Sequence, residues 1–146
     1  MLYVVYLVCA ALYLVYGISW DRLLNFFDPI TLEFLLFPCI LILFVTRSFT
    51  AFGRAFLFAF GRKEYAPSQC RESLLAVRMV MCTASIFGGI CFLIESVNGI
   101  RALDWSSLDS IGWLLLDLSV AALAPFYALL ICTVLLPVYY LLKKEP

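Results

Sequence analysis

Ile111–Leu142 reads IGWLLLDLSVAALAPFYALLICTVLLPVYYLL, with Asp117 as its one acidic residue and no basic residue. About 20 apolar residues suffice to cross a bilayer, so a helix over this stretch must tilt or project beyond the membrane. At helical spacing Ala121, Ala124, Ala128 and Cys132 share the face of Asp117, while Leu, Val and Ile dominate the others. Lipid gives little hydrophobic reason for two helices to associate, so a stripe of small residues that lets backbones approach marks a packing face. Pro125, in mid-stretch, removes one ladder hydrogen bond and predicts a kink. The stretch therefore reads as the assembly helix, and a candidate pore helix, of a small oligomeric membrane protein.

Composition fixes the class. Of 146 residues, 65% are hydrophobic and 14% charged, with a mean hydropathy of +1.04. A soluble domain is nearer half apolar and a quarter charged, so the excess is expected to face lipid. Ten basic residues balance ten acidic ones, and no basic patch with interleaved polar residues suggests a nucleic-acid partner. Histidine is absent, which removes the commonest proton relay and metal ligand. Without it no nucleophile–base–acid constellation forms, so an enzyme is not expected. Cys9, Cys39, Cys70, Cys82, Cys91 and Cys132 show no CxxC spacing. They read as free thiols, and no metal or cofactor is expected.

The chain divides into four predicted spans, an all-α integral membrane domain over residues 1–146. Residues 2–18 form the first; no lysine or arginine precedes Arg22, unlike the positive n-region of a signal peptide. Its tyrosines, Tyr3, Tyr6, Tyr13 and Tyr16, suit membrane interfaces. Asp28 before Pro29 reads as an N-cap with proline at the first helical position, opening a second span over about 30–46 with Glu33 near its start and Pro38 bending it. Residues 47–71 form an amphipathic segment, with Phe49, Phe52, Phe56 and Phe60 at helical spacing and Arg47, Arg54, Arg62 and Lys63 among them. This is a surface helix or an extension of the second span, with Gly61 as its C′ residue. The third span covers about 74–97, with Ser68 and Glu72 near the helix start and Asn98-Gly99 as the break after it. Cys82, Ser85 and Gly89 line a second small-residue stripe there, beside Thr83 and Gly88. Ser106-Ser107-Leu108-Asp109 looks like the capping box of a long, kinked fourth helix that spans about 111–134 and extends to 142. Pro125 and Pro137 shape it.

Basic residues concentrate in one loop and one tail: Arg47, Arg54, Arg62, Lys63 and Arg71, then Lys143 and Lys144. The positive-inside rule places both termini and the middle loop in the cytoplasm. The arginines and Lys63 are expected to meet lipid headgroups and fix topology.

Several strings together resemble the MotA/TolQ/ExbB family, the stator subunits of ion-driven motors. Phe60-Gly61-Arg62-Lys63-Glu64-Tyr65-Ala66-Pro67 resembles the segment after that family's second span, and Gly88-Gly89-Ile90 part of its third-span turn. Ile111-Gly112, Ala121-Ala122-Leu123, Phe126-Tyr127 and Leu135-Leu136-Pro137 resemble its fourth span. The resemblance implies a pentameric ring in a bacterial inner membrane, around single-span partner helices of the MotB/TolR/ExbD kind. The chain also departs from the family. The paired threonines fall on Ala124 and Pro125, the glycine after the tyrosine on Ala128, and the third-span threonine on Gly89. The large cytoplasmic domain shrinks to residues 62–71.

The remaining candidates for an ion path are Asp117, Ser119, Thr83 and Ser85. An intramembrane ionisable group is costly and normally functional; the plainer reading of Asp117 is an interfacial carboxylate near the start of a long helix. Three functions follow as expectations: a minimal stator-like subunit, a non-conducting membrane scaffold of the same fold, or an unrelated four-span transporter or immunity-type protein.

Overall fold

The computed structural model describes residues 2–17, 27–61, 66–103 and 108–144. All secondary structure among them is helical: α1 (Leu2–Gly17), α2 (Pro29–Val45), α3 (Phe49–Ala59), α4 (Pro67–Arg101), α5 (Leu108–Ala121) and α6 (Leu123–Lys144). By length and apolarity, α4 and the continuous Ile111–Lys144 stretch can each cross a membrane; the bent pair α2–α3 makes a third if taken as one span. At 16 residues, about 24 Å of helix, α1 is shorter than about 30 Å of hydrocarbon.

Local chemistry sets several boundaries as the sequence suggests. Asp28 caps α2: its Oδ1 accepts from the Ile30 N–H at 3.1 Å, its other carboxylate oxygen accepts from the Thr31 hydroxyl, and Pro29 follows at the first helical position. Glu33 falls one residue beyond the first turn and is exposed. Gly61, with φ +68°, is the C′ residue of α3, its N–H donating to the Phe58 carbonyl at 2.8 Å.

Other boundaries differ. α4 starts at Pro67, one residue before the helix start expected at Ser68 and seven before the expected span, with Ala66 in the extended conformation that a following proline imposes. Cys70 therefore lies buried in an early turn of α4. α4 also runs through Asn98-Gly99 to Arg101. A helical glycine costs only about 1 kcal/mol, and Gly99 is where α5 comes closest: a Cβ there would sit 3.3 Å from the Asp117 Cβ. The expected capping box at Ser106-Ser107 lies outside the described residues.

α2 ends in a Schellman motif that lacks its usual glycine. Arg47 takes the left-handed position with φ +52°. Its N–H donates to the Phe44 carbonyl at 3.1 Å, and the Ser48 N–H to the Leu43 carbonyl at 2.9 Å. A non-glycine residue there costs about 1–2 kcal/mol. The chain then turns by 108° into α3.

α4 and α6 form the central antiparallel pair, with α2 and α3 packed mainly on α4 and α1 leaning on α6. Leu35, Cys39 and Leu43 of α2 meet Val77, Val80 and Ala84 of α4 and Leu135 and Val138 of α6 in one buried cluster. α3 buries Ala51, Ala55 and Ala59 rather than its phenylalanine face; Phe49 and Phe60 are exposed, Phe52 and Phe56 half-buried. Small side chains let the helix axis approach α4, as in any tight helix seam. The aromatic rings fill the flanks, Phe52 edge-on to Phe56 at 5.2 Å and Phe60 edge-on to Tyr3 at 5.5 Å.

Candidate functional site

The α4–α6 seam shows what the small-residue stripes do. A Cβ on Gly88 would lie 2.7 Å from the Ala128 Cβ and 3.2 Å from the Ala124 carbonyl oxygen. Ala121, Ala124 and Ala128 are buried in this seam. Cys132 adds a 3.5 Å contact from its Sγ to the Ser85 Oγ, which itself donates to the Met81 carbonyl at 2.9 Å. This face of α6 is thus filled within one chain. Cys82 is exposed and Gly89 has open space where a Cβ would go, so neither takes part in that contact. Of the expected stripe on α4, Ser85 reaches α6, while Cys82 and Gly89 do not.

The prolines have defined consequences. Pro125 cannot donate to the Ala121 carbonyl, and the break between α5 and α6 falls at Ala122, beside that missing bond. The ladder resumes at once, the Ala122 N–H donating to Leu118 and the Phe126 N–H to Ala122. Pro137 likewise frees the Thr133 carbonyl, and the Tyr6 hydroxyl donates to it at 3.1 Å. The Tyr3 hydroxyl donates to the neighbouring Val134 carbonyl at 3.2 Å. A backbone carbonyl without a partner is costly in lipid, so α1 supplies what Pro137 removes. Pro38 is buried in α2.

The four candidates for an ion path do not converge. Ser119 turns back to the Leu116 carbonyl at 2.7 Å. Thr83 and Ser85 sit in mid α4, Ser85 about 21 Å along the helix from Gly99, the residue opposite Asp117. Asp117 instead opens into a cleft of about 430 Å³ with Glu95, Asn98, Gly99, Ala102 and Val120. Glu95, Asn98, Gly99 and Ala102 lie three and four residues apart, one face of α4. The sequence reads Asn98-Gly99 as the break after the third span; the helical spacing of Glu95, Asn98, Gly99 and Ala102 is the signal that joins them.

This cleft occupies the distal end of the bundle, away from α3. The helix from Asp117 to Lys143 runs about 39 Å, more than the hydrocarbon thickness of about 30 Å. Beyond Asp117, α5 presents Ile111, Trp113, Leu115 and Leu116 to the exterior.

At the proximal end, the Arg54 guanidinium pairs with the Glu72 carboxylate at 2.9 Å. Arg47 and Arg71 are exposed; Arg62 and Lys63 lie outside the described residues. None of the six cysteines is joined in a disulfide, and no cluster of metal-ligating residues occurs among the described residues. No family model, curated protein or solved structure matches this chain.

Proposed function

We propose that this chain is a non-enzymatic membrane scaffold subunit that holds a partner's membrane helix through its distal acidic cleft, and that conducts no ions itself. The observation that carries this reading is the division of labour along α4. Its small-residue face is closed by Ala124 and Ala128 of the same chain, while Glu95 and Asp117 share an open cleft flanked by apolar, exposed α5. A pore needs a polar path, and bare hydrocarbon is a costly route for an ion. A carboxylate beside an apolar helix surface wants a cation in a similar setting, such as an arginine near the end of a partner helix. In this reading four helical elements, α1, α2–α3, α4 and α5–α6, span a bacterial inner membrane with both termini cytoplasmic.

The stator-type pentamer implied by the resemblance would have to line its ring with residues other than the Gly88–Ala128 seam. Native mass spectrometry counts the copies directly. Reconstitution in proteoliposomes with a polyleucine peptide carrying one arginine near its distal end tests the dock. The expected result is cross-linking to α5, about tenfold weaker for Asp117→Asn, since a charge-assisted hydrogen bond contributes roughly 1.5–3 kcal/mol. It should be absent for an all-leucine peptide. Proton flux above protein-free vesicles, abolished in Asp117→Asn, would instead establish the conducting reading.

A further inference from the structure

A groove of about 340 Å³ opens between α2 and α6. Ile40 and Leu43 line one side and Leu130 and Val134 the other, with Val80 from α4 and Phe52 from α3. Its lining is apolar throughout apart from the thiol of Cys39, which is directed to the Val80 carbonyl. The space is too slim for another helix. A helix with its side chains is about 10 Å across, so a single turn outgrows it, whereas one extended hydrocarbon chain does not.

The charge at one end specifies which hydrocarbon chain. Leu43 and Phe52 bracket the elbow formed by Thr46, Arg47 and Ser48, so the elbow stands at that end of the groove. There the left-handed position that normally takes glycine holds an exposed arginine. Ser48 provides no side-chain cap to α3, and its hydroxyl donates instead to the Thr46 carbonyl at 3.2 Å. The first N–H groups of α3 therefore lack an intrahelical acceptor and carry the positive end of the helix dipole. Arg71, Arg78, Arg101, Lys143 and Lys144 are exposed elsewhere on the described chain, and Glu72 is paired with Arg54.

We propose that the α2–α6 groove binds one anionic phospholipid, its acyl chain lying between Ile40 and Val134 and its phosphate held at the elbow by Arg47 and the open start of α3. The left-handed residue, Arg47, stands two positions before Phe49, the first residue of α3. The site stands independently of the distal cleft, at the opposite end of the bundle.

Native mass spectrometry of the detergent-purified chain, given equal amounts of phosphatidylglycerol and phosphatidylcholine with matched chains, tests it. The expected result is one retained phosphatidylglycerol, favoured at least about fivefold. Arg47→Gln should bring the preference to parity, and Arg47→Lys should keep most of it. Arg47→Gly suits the left-handed backbone, so the variant should stay folded while losing the preference. Ile40→Trp, at an exposed lipid-facing position, should fill the groove and remove retention of both lipids with the helical circular dichroism unchanged. Equal retention of the two lipids by the unmodified chain would overturn the assignment. So would an undiminished preference in Arg47→Gln, or a folded Ile40→Trp that keeps its lipid. Retention of inorganic phosphate at the elbow with no lipid retained by the unmodified chain would show an anion site that does not use the groove, and would overturn it as well.

Discussion

Two adjacent glycines of α4 have opposite surroundings. A methyl group on Gly88 meets Ala128 at 2.7 Å and the α6 backbone at 3.2 Å, while one on Gly89 meets nothing within 4 Å. Gly88→Ala must force α4 and α6 apart, and overpacking of this kind costs about 1–3 kcal/mol. Gly89→Ala removes a helical glycine without a clash and should stabilise by up to about 1 kcal/mol. Unfolding of the purified chain in mixed micelles, followed by circular dichroism, should move the two variants in opposite directions. Equal shifts would mean the seam is misplaced. Neighbouring positions on a helix differ by 100° in direction, and residue type carries no information about which of two glycines faces inward. The sequence therefore names Gly88 and Gly89 together, and only the register of α6 separates them.

At the scale of the elements, α1 is held to α6 by side chains meeting a proline's vacancy. If the Tyr6 hydroxyl serves the carbonyl freed by Pro137, its value depends on that proline. Tyr6→Phe should cost about 1 kcal/mol in the natural background and almost nothing once Pro137→Ala restores the ladder bond. A double-mutant cycle on unfolding free energy measures the coupling; additive effects would make the tyrosine a simple interfacial anchor. Such linkage explains what was legible in the chain beforehand. Asp28-Pro29 and Gly61 announce helix ends because capping is a local matter of a few backbone groups. The overall helical, apolar character is equally plain from composition. Arg47 escapes notice because its left-handed backbone is imposed by the packing of α3, not by its own preference. The inward face of α3 escapes for a similar reason: hydrophobicity points to its phenylalanines, but the distance between helix axes is set by Ala51, Ala55 and Ala59. In the candidate site Asp117 stands out as a lone charge, whereas Glu95 and Asn98 join it only through the register of α5 on α4, which no single helix carries in its own sequence.

For the whole molecule, length decides where the distal cleft lies. The 35 residues of α4 make about 52 Å of helix, and the 34 residues of Ile111–Lys144 make about 51 Å. Tilting by about 40°, the upper end of the usual range, brings the latter down to about 39 Å, still beyond about 30 Å of hydrocarbon. In a bilayer of ordinary thickness the excess would leave at one end. The proximal end carries Arg71, Glu72, Lys143 and Lys144, which hold it at water and resist being drawn inward. The distal end also carries the exposed Arg101, but α5 itself is apolar, so we propose α5 as the surplus, with Trp113 more than half exposed at 68%. In a chain whose other tryptophans are replaced (Trp20→Phe, Trp105→Phe), Trp113 fluorescence in phosphatidylcholine vesicles should be quenched efficiently by acrylamide and weakly by lipids brominated deep in their chains. Adding the arginine-bearing helical peptide should shield it from acrylamide, since that helix would lie along α5 with its cation at Glu95 and Asp117. Asp117→Asn should restore the quenching without altering the peptide-free value. Strong quenching by deep-brominated lipid and none by acrylamide would mean the hairpin lies within the bilayer by steeper tilt or local thickening, which would put Asp117 in hydrocarbon and reopen the case for an ion-path carboxylate.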